Sequence, residues 1–333
     1  MVRIWLNHWF NTAYSIIQLI KNGNENFQII GSSENEYSAI KNVCDEWYAE
    51  PILKDKEYAD FCLNFCIKHQ IDVFLPRRGM LNISKIKNEF ENSGVKVMAD
   101  DYEKIYSLNH KSEAYDLFKT KTIGYVPDYR IVTNVSDFKD AYDFIKDKYA
   151  QVCFKFVKDE GGKSFRLIDN NRKGYTALFK KQNTRMTLTD ILDALSEREE
   201  FSPLMVMPFL NGNEVSIDCL NTPQGLIMLP RVKDNSKIER LMYDSEIMDI
   251  TIDFQKKIGL ECPYNIQFKY LNGIPYFLEV NTRMSGGIHM ACAGSGVNIP
   301  NIAVKKLLGI RSDWFNAQEE KMLAQTTVPI VLK

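Results

Sequence analysis

NIQFKYLNGIPYFLEVNTRMSGGIH, residues 265–289, is the stretch whose reading decides how the rest of the chain is understood. Its centre, Tyr276 to Val280, is apolar and aromatic enough for a buried strand. Glu279, Asn281 and Arg283 stand at i, i+2 and i+4, and a period of two places all three on one face. Such a face suits a hard cation beside a phosphate. The carboxylate and amide offer the oxygen ligands that Mg2+ takes, and the guanidinium forks onto phosphate or carboxylate oxygens.

Upstream, Asn265 to Tyr270 reads as a second strand, and Asn272-Gly273 between two apolar runs signals a hairpin. Loop length sets the chemistry. A two-residue turn points Gln267 away from Glu279. A three-residue loop, Leu271-Asn272-Gly273, pairs Tyr270 with Ile274 and brings Gln267 onto Glu279's face. Gln267 as a third oxygen ligand therefore requires the longer loop, with Gly273 as the left-handed residue of a bulged turn. The plain alternative is an ordinary hairpin ending in a polar loop.

Around this hairpin, 333 residues suffice for two domains and a sizeable core. With 45% hydrophobic and 26% charged residues, the composition is that of a soluble globular protein. A net charge of -1 argues against binding nucleic acid through bulk electrostatics. Seven scattered cysteines without a CxxC pair predict reduced, buried thiols and a cytoplasmic protein. Four separated histidines make a zinc site a poor expectation. No segment is long and apolar enough to span a membrane, and the N-terminus lacks a signal-peptide layout.

Strands at Val2–Leu6, Phe27–Ile30, Ile71–Leu75 and Val95–Met98 alternate with helical stretches, among them Tyr58–His69 and Ile83–Asn92. That spacing predicts a doubly wound parallel sheet. The loop after the first strand, Asn7 to Asn11, contains no glycine, so it is no dinucleotide fingerprint. Arg77-Arg78-Gly79 follows the third strand, where such sheets bind ligands; Arg77 is a carboxylate-binding candidate or half of a solvated arginine pair. Further on, Ser136 is expected to cap a helix to Lys148. Val152–Val157 is a strand holding Lys155, followed by Gly161-Gly162 and a strand Phe165–Ile168. Strand, glycine loop and strand differ from the Walker arrangement, but a glycine hairpin can close over a triphosphate and present N–H groups. Met205–Pro208 is an apolar strand, Phe209 to Asn213 a turn, and Glu214, Ser216 and Asp218 share a face of the next strand.

Taken in order, these motifs resemble the ATP-grasp superfamily, and within it the branch of biotin carboxylase and the carbamoyl phosphate synthetase large subunit. FLEVNTR (277–283) is similar to that branch's Mg2+ and phosphate motif, and eleven residues separate Gln267 from Glu279 as in its two metal-ligand strands. KFVKDEGGKSFRLID (155–169) resembles the lysine strand and glycine loop, and MVMPFLNGNEVSIDCL (205–220) the adenine hinge. The MPFLxGxExSxD pattern also looks like ATP-grasp proteins of biosynthetic clusters linked with tellurium resistance. The resemblance implies an N-terminal doubly wound pre-ATP-grasp domain (1–102) and a two-lobed ATP-grasp domain with mainly antiparallel sheets (103–333, lid about 125–205). It implies that Lys111 and Lys155 neutralise nucleotide phosphates under the Gly161-Gly162 loop. The Met207 carbonyl and Leu210 N–H would take the adenine edge and Glu214 the ribose. Glu279, Asn281 and Gln267 would hold Mg2+, or Mn2+ in its place, and Arg283 would steady the transferred phosphoryl group. Two departures stand out: Phe156 where the family has proline, and Ser164 in place of a loop glycine.

The activity this implies is an ADP-forming ligase. A carboxylate is activated by ATP as an acyl phosphate, and an amine then displaces phosphate. The rivals are a bicarbonate-activating carboxylase or carbamoyl-phosphate-type enzyme, and an ATP-binding regulatory module without catalysis. Selectivity is expected in Ser285, Gly286, Gly287 and His289, in Arg231 and Lys233, and around His8 and Arg77. Arg231 and Lys233 either hold a substrate carboxylate or are solvated at a strand end. The expected partners are a small carboxylate and an amine, with neither nucleic acid nor membrane, and a homodimer is left open.

Overall fold

The computed structural model describes residues 1–7, 12–23, 26–158, 163–172, 184–233 and 238–332. Gly161, Gly162 and the loop around His8 lie outside the described residues. The chain packs as two compact units, residues 1–109, 213–268 and 279–333 in one, and 110–212 with 269–278 in the other.

In the first unit, β1 (Val2–Asn7), β2 (Phe27–Ser33), β3 (Glu46–Ala49), β4 (Val73–Leu75) and β5 (Lys96–Val97) form a parallel sheet in the order β3-β2-β1-β4-β5. This is the expected doubly wound sheet. The sequence of β1 shows why both faces are covered. Ile4 and Leu6 join a core with Ile16, Ile17 and Ile20 of the helix Ala13–Lys21. Trp5, between them in sequence, faces the other way and stacks on Phe65 and Phe74, each at 4.3 Å between ring centroids. Leu220, Ile227 and Leu229 share the core of Ile4 and Leu6, so residues 213–268 and 279–333 pack with residues 1–109 rather than with 110–212.

Three local expectations change. The second strand runs on through Gly31-Ser32-Ser33 because Glu46–Ala49, too short and polar to read as a strand, pairs beside it. The helix expected over 83–92 is two short helices, Met80–Lys85 and Lys87–Asn92, broken at Ile86. The helix expected to start at Ser136 is capped by Asn134, whose side chain accepts the Asp137 N–H at 2.9 Å.

The second unit holds β6 (Arg130–Val132), β7 (Val152–Phe156), β8 (Arg166–Ile168), β9 (Arg185–Met186) and β10 (Leu204–Pro208), ordered β6-β10-β7-β8-β9. All these pairings are antiparallel except β8 with β9. Phe138 of the helix Val135–Lys148 meets Phe154 of β7 edge-on at 5.3 Å and anchors the helix to the sheet. The remaining strands are β11 (Glu214–Thr222), β12 (Gly225–Lys233), β13 (Ile238–Leu241), β14 (Tyr264–Leu271), β15 (Ile274–Asn281) and β16 (Lys321–Ala324). They form a six-stranded sheet ordered β15-β14-β11-β12-β13-β16.

The β14–β15 hairpin corrects a specific expectation. β14 ends at Leu271 and β15 starts at Ile274, so the turn is Asn272-Gly273 alone. Both residues are left-handed, with φ of 53° and 82°. That is the two-residue turn whose twist matches that of the strands. The three-residue loop that tied Gln267 to Glu279's face is absent.

Candidate active site

The polar end of β15 is built as its sequence spacing demands. Asn281 donates its amide Nδ2 to Glu279 Oε1 at 3.1 Å, and Arg283 Nη1 donates to Asn281 Oδ1 at 3.0 Å. Carboxylate, amide and guanidinium thus form one hydrogen-bonded row, all half-buried. Hard oxygens without thiolate or imidazole suit Mg2+, which takes one or two protein ligands and completes its shell with water and phosphate. Among the described residues no three His, Cys, Asp or Glu side chains gather into a metal cage. Gln267 is held elsewhere: its Nε2 donates to Asn265 Oδ1 at 3.0 Å. Its place as a third ligand now rests on family resemblance alone.

Asn265 leads into a buried cluster that the sequence reading missed. Its Nδ2 donates to Ser216 Oγ and Asp218 Oδ1, each at 3.0 Å. Asp218, fully buried, accepts Arg231 Nε at 3.1 Å and Nη2 at 3.0 Å on Oδ2. Glu239 of β13 takes Arg231 Nη1 in a short ion pair. Arg231 Nη2 also reaches Ser285 Oγ at 3.1 Å. Burial works against this cation, but Asp218 and Glu239 outweigh it and keep its pKa above the ordinary arginine value. Arg231 is only 1% exposed, so it is not solvated at a strand end. The edge that would fork onto a substrate carboxylate is already on Asp218. Lys233 ends β12 in an ion pair with Glu214, the residue opposite it in register.

Ser285, Gly286, Gly287 and His289 stand beside this cluster. Gly287 N–H donates to Ser285 Oγ at 3.2 Å, and the helix Ile288–Ser295 begins there. A Cβ on Gly287 would lie 2.3 Å from Arg231 Nη1, so this glycine is required by the protein's own guanidinium. His289 is half-buried; burial first, and then the Arg231 charge, lower its pKa and favour neutral imidazole. It borders a groove of about 370 Å³ with Gln18, Asn22 and Asn298.

The nucleotide candidates Lys111, Lys155, Met207 and Leu210 belong to the second unit. Lys155 lies on β7 opposite Met205, 7% exposed. Ser164 accepts the Phe156 N–H on its hydroxyl at 2.9 Å. Lys111 opens the helix Lys111–Thr120. In the hinge, Phe209 N–H donates to Gln151 O and Gly212 N–H to Tyr270 O, both at 2.9 Å. Met207 and Leu210 are each 3% exposed.

Arg77 and Arg78 part company. Arg78 is structural: it pairs with Glu34, lies 4.2 Å over the Tyr58 ring and donates to Leu53 O at 2.6 Å. Arg77 follows β4, its backbone N–H fixed by Asn7 Oδ1 at 2.6 Å. Asp218, Asn265 and Glu239 could not be recognised from the sequence as the group around Arg231, although Asn265 and Gln267 at i and i+2 could have been read as a second polar face.

Residues 200–328 match the family described as ATP-grasp in the biosynthetic pathway with Ter operon, and residues 11–98 match the PylC-like N-terminal domain. Among curated relatives, the arginine-specific carbamoyl phosphate synthase large chain of Geobacillus stearothermophilus is 25% identical over 90% of this chain. The chain spans only 28% of that relative's length. Among solved structures, the biotin carboxylase domain of Hydrogenobacter thermophilus 2-oxoglutarate carboxylase, in complex with MgADP, ADP and bicarbonate, superposes with a TM-score of 0.69 at 16% identity. That likeness covers 96% of this chain and 73% of the other. The L-amino acid ligase of Bacillus licheniformis gives a TM-score of 0.67 at 11% identity, over 92% and 74% of the two chains. At these identities the structures establish the fold. FLEVNTR and the 205–220 segment lie inside the ATP-grasp match at 200–328, and the parallel-sheet domain coincides with the PylC-like match at 11–98.

Proposed function

We propose that this protein is an ADP-forming ligase that activates a carboxylate with ATP as an acyl phosphate and joins it to an amine. The row Glu279–Asn281–Arg283 carries this reading, because it sets hard-cation ligands and a phosphate-binding guanidinium side by side. The L-amino acid ligase among the structural neighbours supports it. Glu279 and Asn281 would hold Mg2+, or Mn2+ in its place, and Gln267 is the third ligand the family resemblance suggests. The metal, when bound, supplies charge neutralisation along the phosphates. Lys111 and Lys155 are assigned to the phosphates as point charges, and Gly161 and Gly162 to the loop that the family resemblance assigns to cover them. Met207 and Leu210 take the adenine edge through backbone atoms, and Glu214 the ribose once it parts from Lys233. Arg283 steadies the transferred phosphoryl group.

No side-chain nucleophile is called for: every cysteine is a free thiol, and burial pushes the Cys153 thiol up to about 12 against the opposing charges of Lys155 and Lys269. Free thiols also agree with a reducing cytoplasm. Two further readings come from the neighbours. Bicarbonate activation is suggested by the biotin carboxylase and carbamoyl phosphate synthase likenesses. A homodimer is suggested by the dimer named for the biotin carboxylase domain. Release of ADP and phosphate should require both an added acid and an added amine, measured across a panel of amino acids and small carboxylates. Release with bicarbonate alone would move the assignment to carboxylation. MgATP binding without turnover on any acid would replace it with a regulatory module.

A further inference from the structure

The loop Met284–His289 begins directly after the phosphate arginine, so whatever fixes this loop fixes the acceptor end of the site. Along it, Gly287 N–H donates to Ser285 Oγ and Ile288 N–H to Ser285 O at 3.4 Å, while Gly287 O accepts the Met290 N–H at 2.9 Å where the helix starts. What lies beneath it is Arg231. The guanidinium donates to Ser285 Oγ at 3.1 Å and fills the space where any side chain on Gly287 would begin, 2.3 to 2.7 Å from three of its atoms. The guanidinium cannot wander. Asp218 takes Nε and Nη2, Glu239 takes Nη1, and Asp218 is itself held by Asn265. A flexible four-bond side chain is thereby turned into a fixed plug.

We propose that Arg231 is a positioning residue, a latch that holds Ser285–His289 at the end of β15, and not a ligand for a substrate carboxylate. Asp218 and Glu239 are the posts that hold the latch. The assignment of this loop to the acceptor end rests on the ligase reading; the latch itself does not.

The test therefore has an arm that needs no activity. Hydrogen–deuterium exchange is followed over residues 284–289 in the full chain and in Arg231→Gln, Ser285→Ala and Gly287→Ala. Exchange of this loop should speed up about tenfold in Arg231→Gln and Gly287→Ala, as expected when a charged hydrogen bond is lost. Exchange in β1 should stay unchanged. Ser285→Ala, the mildest change, should speed Gly287 alone, and it keeps the proposal testable where Arg231→Gln does not fold. Unchanged loop exchange in Ser285→Ala and Gly287→Ala overturns the latch.

Where turnover is found, Gly287→Ala should raise the KM of acid or amine about tenfold and leave MgADP affinity within about twofold. Arg231→Lys should fail to rescue, because a point ammonium cannot hold two carboxylates and Ser285 in one plane. Full rescue by lysine, or a Gly287→Ala loss confined to nucleotide affinity, overturns the positioning role. Loss of turnover with every acid and amine, beside a loop that loosens as described, rejects the ligase reading and leaves the latch standing.

Discussion

Replacing Arg231 by methionine removes the cation that pairs with both carboxylates of the cluster, Asp218 and Glu239. The cost can be worked from the geometry. Asp218 and Arg231 are 0% and 1% exposed, with contacts of 3.0 and 3.1 Å. At an effective dielectric of about 20, two unit charges 3 Å apart attract by roughly 5 kcal/mol before desolvation is counted. Without the arginine, Asp218 keeps only the Asn265 amide, and removing one partner of a buried pair typically costs about 3–5 kcal/mol. Glu239 suffers less, because its side chain is 16% exposed and can turn to water. Asp218→Asn leaves Arg231 paired with Glu239, so about 2 kcal/mol is expected. The order of loss is thus Arg231→Met, then Asp218→Asn, then Glu239→Gln. In Arg231→Met/Asp218→Asn the fully buried uncompensated charge is gone and only the part-exposed Glu239 is left, so the double variant should be less damaged than the sum of the singles by about 2 kcal/mol or more. Urea unfolding at pH 7, followed by tryptophan fluorescence, measures all four corners of the cycle. Additive losses, or an Arg231→Met cost under about 1 kcal/mol, would refute a buried network centred on this arginine.

The remaining expectations concern separate parts of the chain. Glu279→Gln should raise the Mg2+ concentration needed for half-maximal nucleotide binding about tenfold or more, and Gln267→Ala should match it only if the amide ligates the metal; calorimetry with MgADP separates the two. Lys155→Met should weaken MgATP binding about ten- to a hundredfold while the thermal transition stays in place, since the loss is a charged phosphate contact. His289 should titrate below the usual histidine value of about 6.5 by NMR. Because its folded pKa is lowered, the stability it contributes is present above about pH 6.5 and is lost as pH falls through the folded value; the Arg231→Met variant should move the midpoint upward. Gly273→Ala should cost about 1 kcal/mol in urea unfolding, because φ there is 82°.

What could be read from the sequence was what is local along one strand. Glu279, Asn281 and Arg283 lie two apart, and strand geometry leaves them no choice but a common face. The alternation of Ile4, Trp5 and Leu6 likewise foretold nothing by itself, but the spacing of strands and helices gave the parallel sheet. Arg231 was not legible, because its partners stand at 218, 239, 265 and 285, and only folding brings β11, β12, β13 and the loop together. β3 was missed because EWYA is short, half polar and carries no period of its own. The hairpin turn was open for another reason. Asn-Gly fits both a two-residue turn and part of a longer loop, and only the longer loop suited Gln267 as a ligand. The left-handed φ of Asn272 settles it, since asparagine is among the few residues that tolerate that region.

The two glycines after Arg283 show how one sequence signal can have two physical sources. Glycine pairs near a phosphate arginine invite the reading that a substrate approaches bare backbone. At Gly287 the atom that approaches belongs to the protein, for Arg231 occupies the space a side chain would need. At Gly286, among the described residues, a Cβ would meet nothing nearer than Thr12 Oγ1 at 4.0 Å, and the residue is exposed. Among the described residues, the fold therefore demands glycine at 287 and shows no such demand at 286. Position 286 is accordingly where a substrate's approach to the backbone is to be sought.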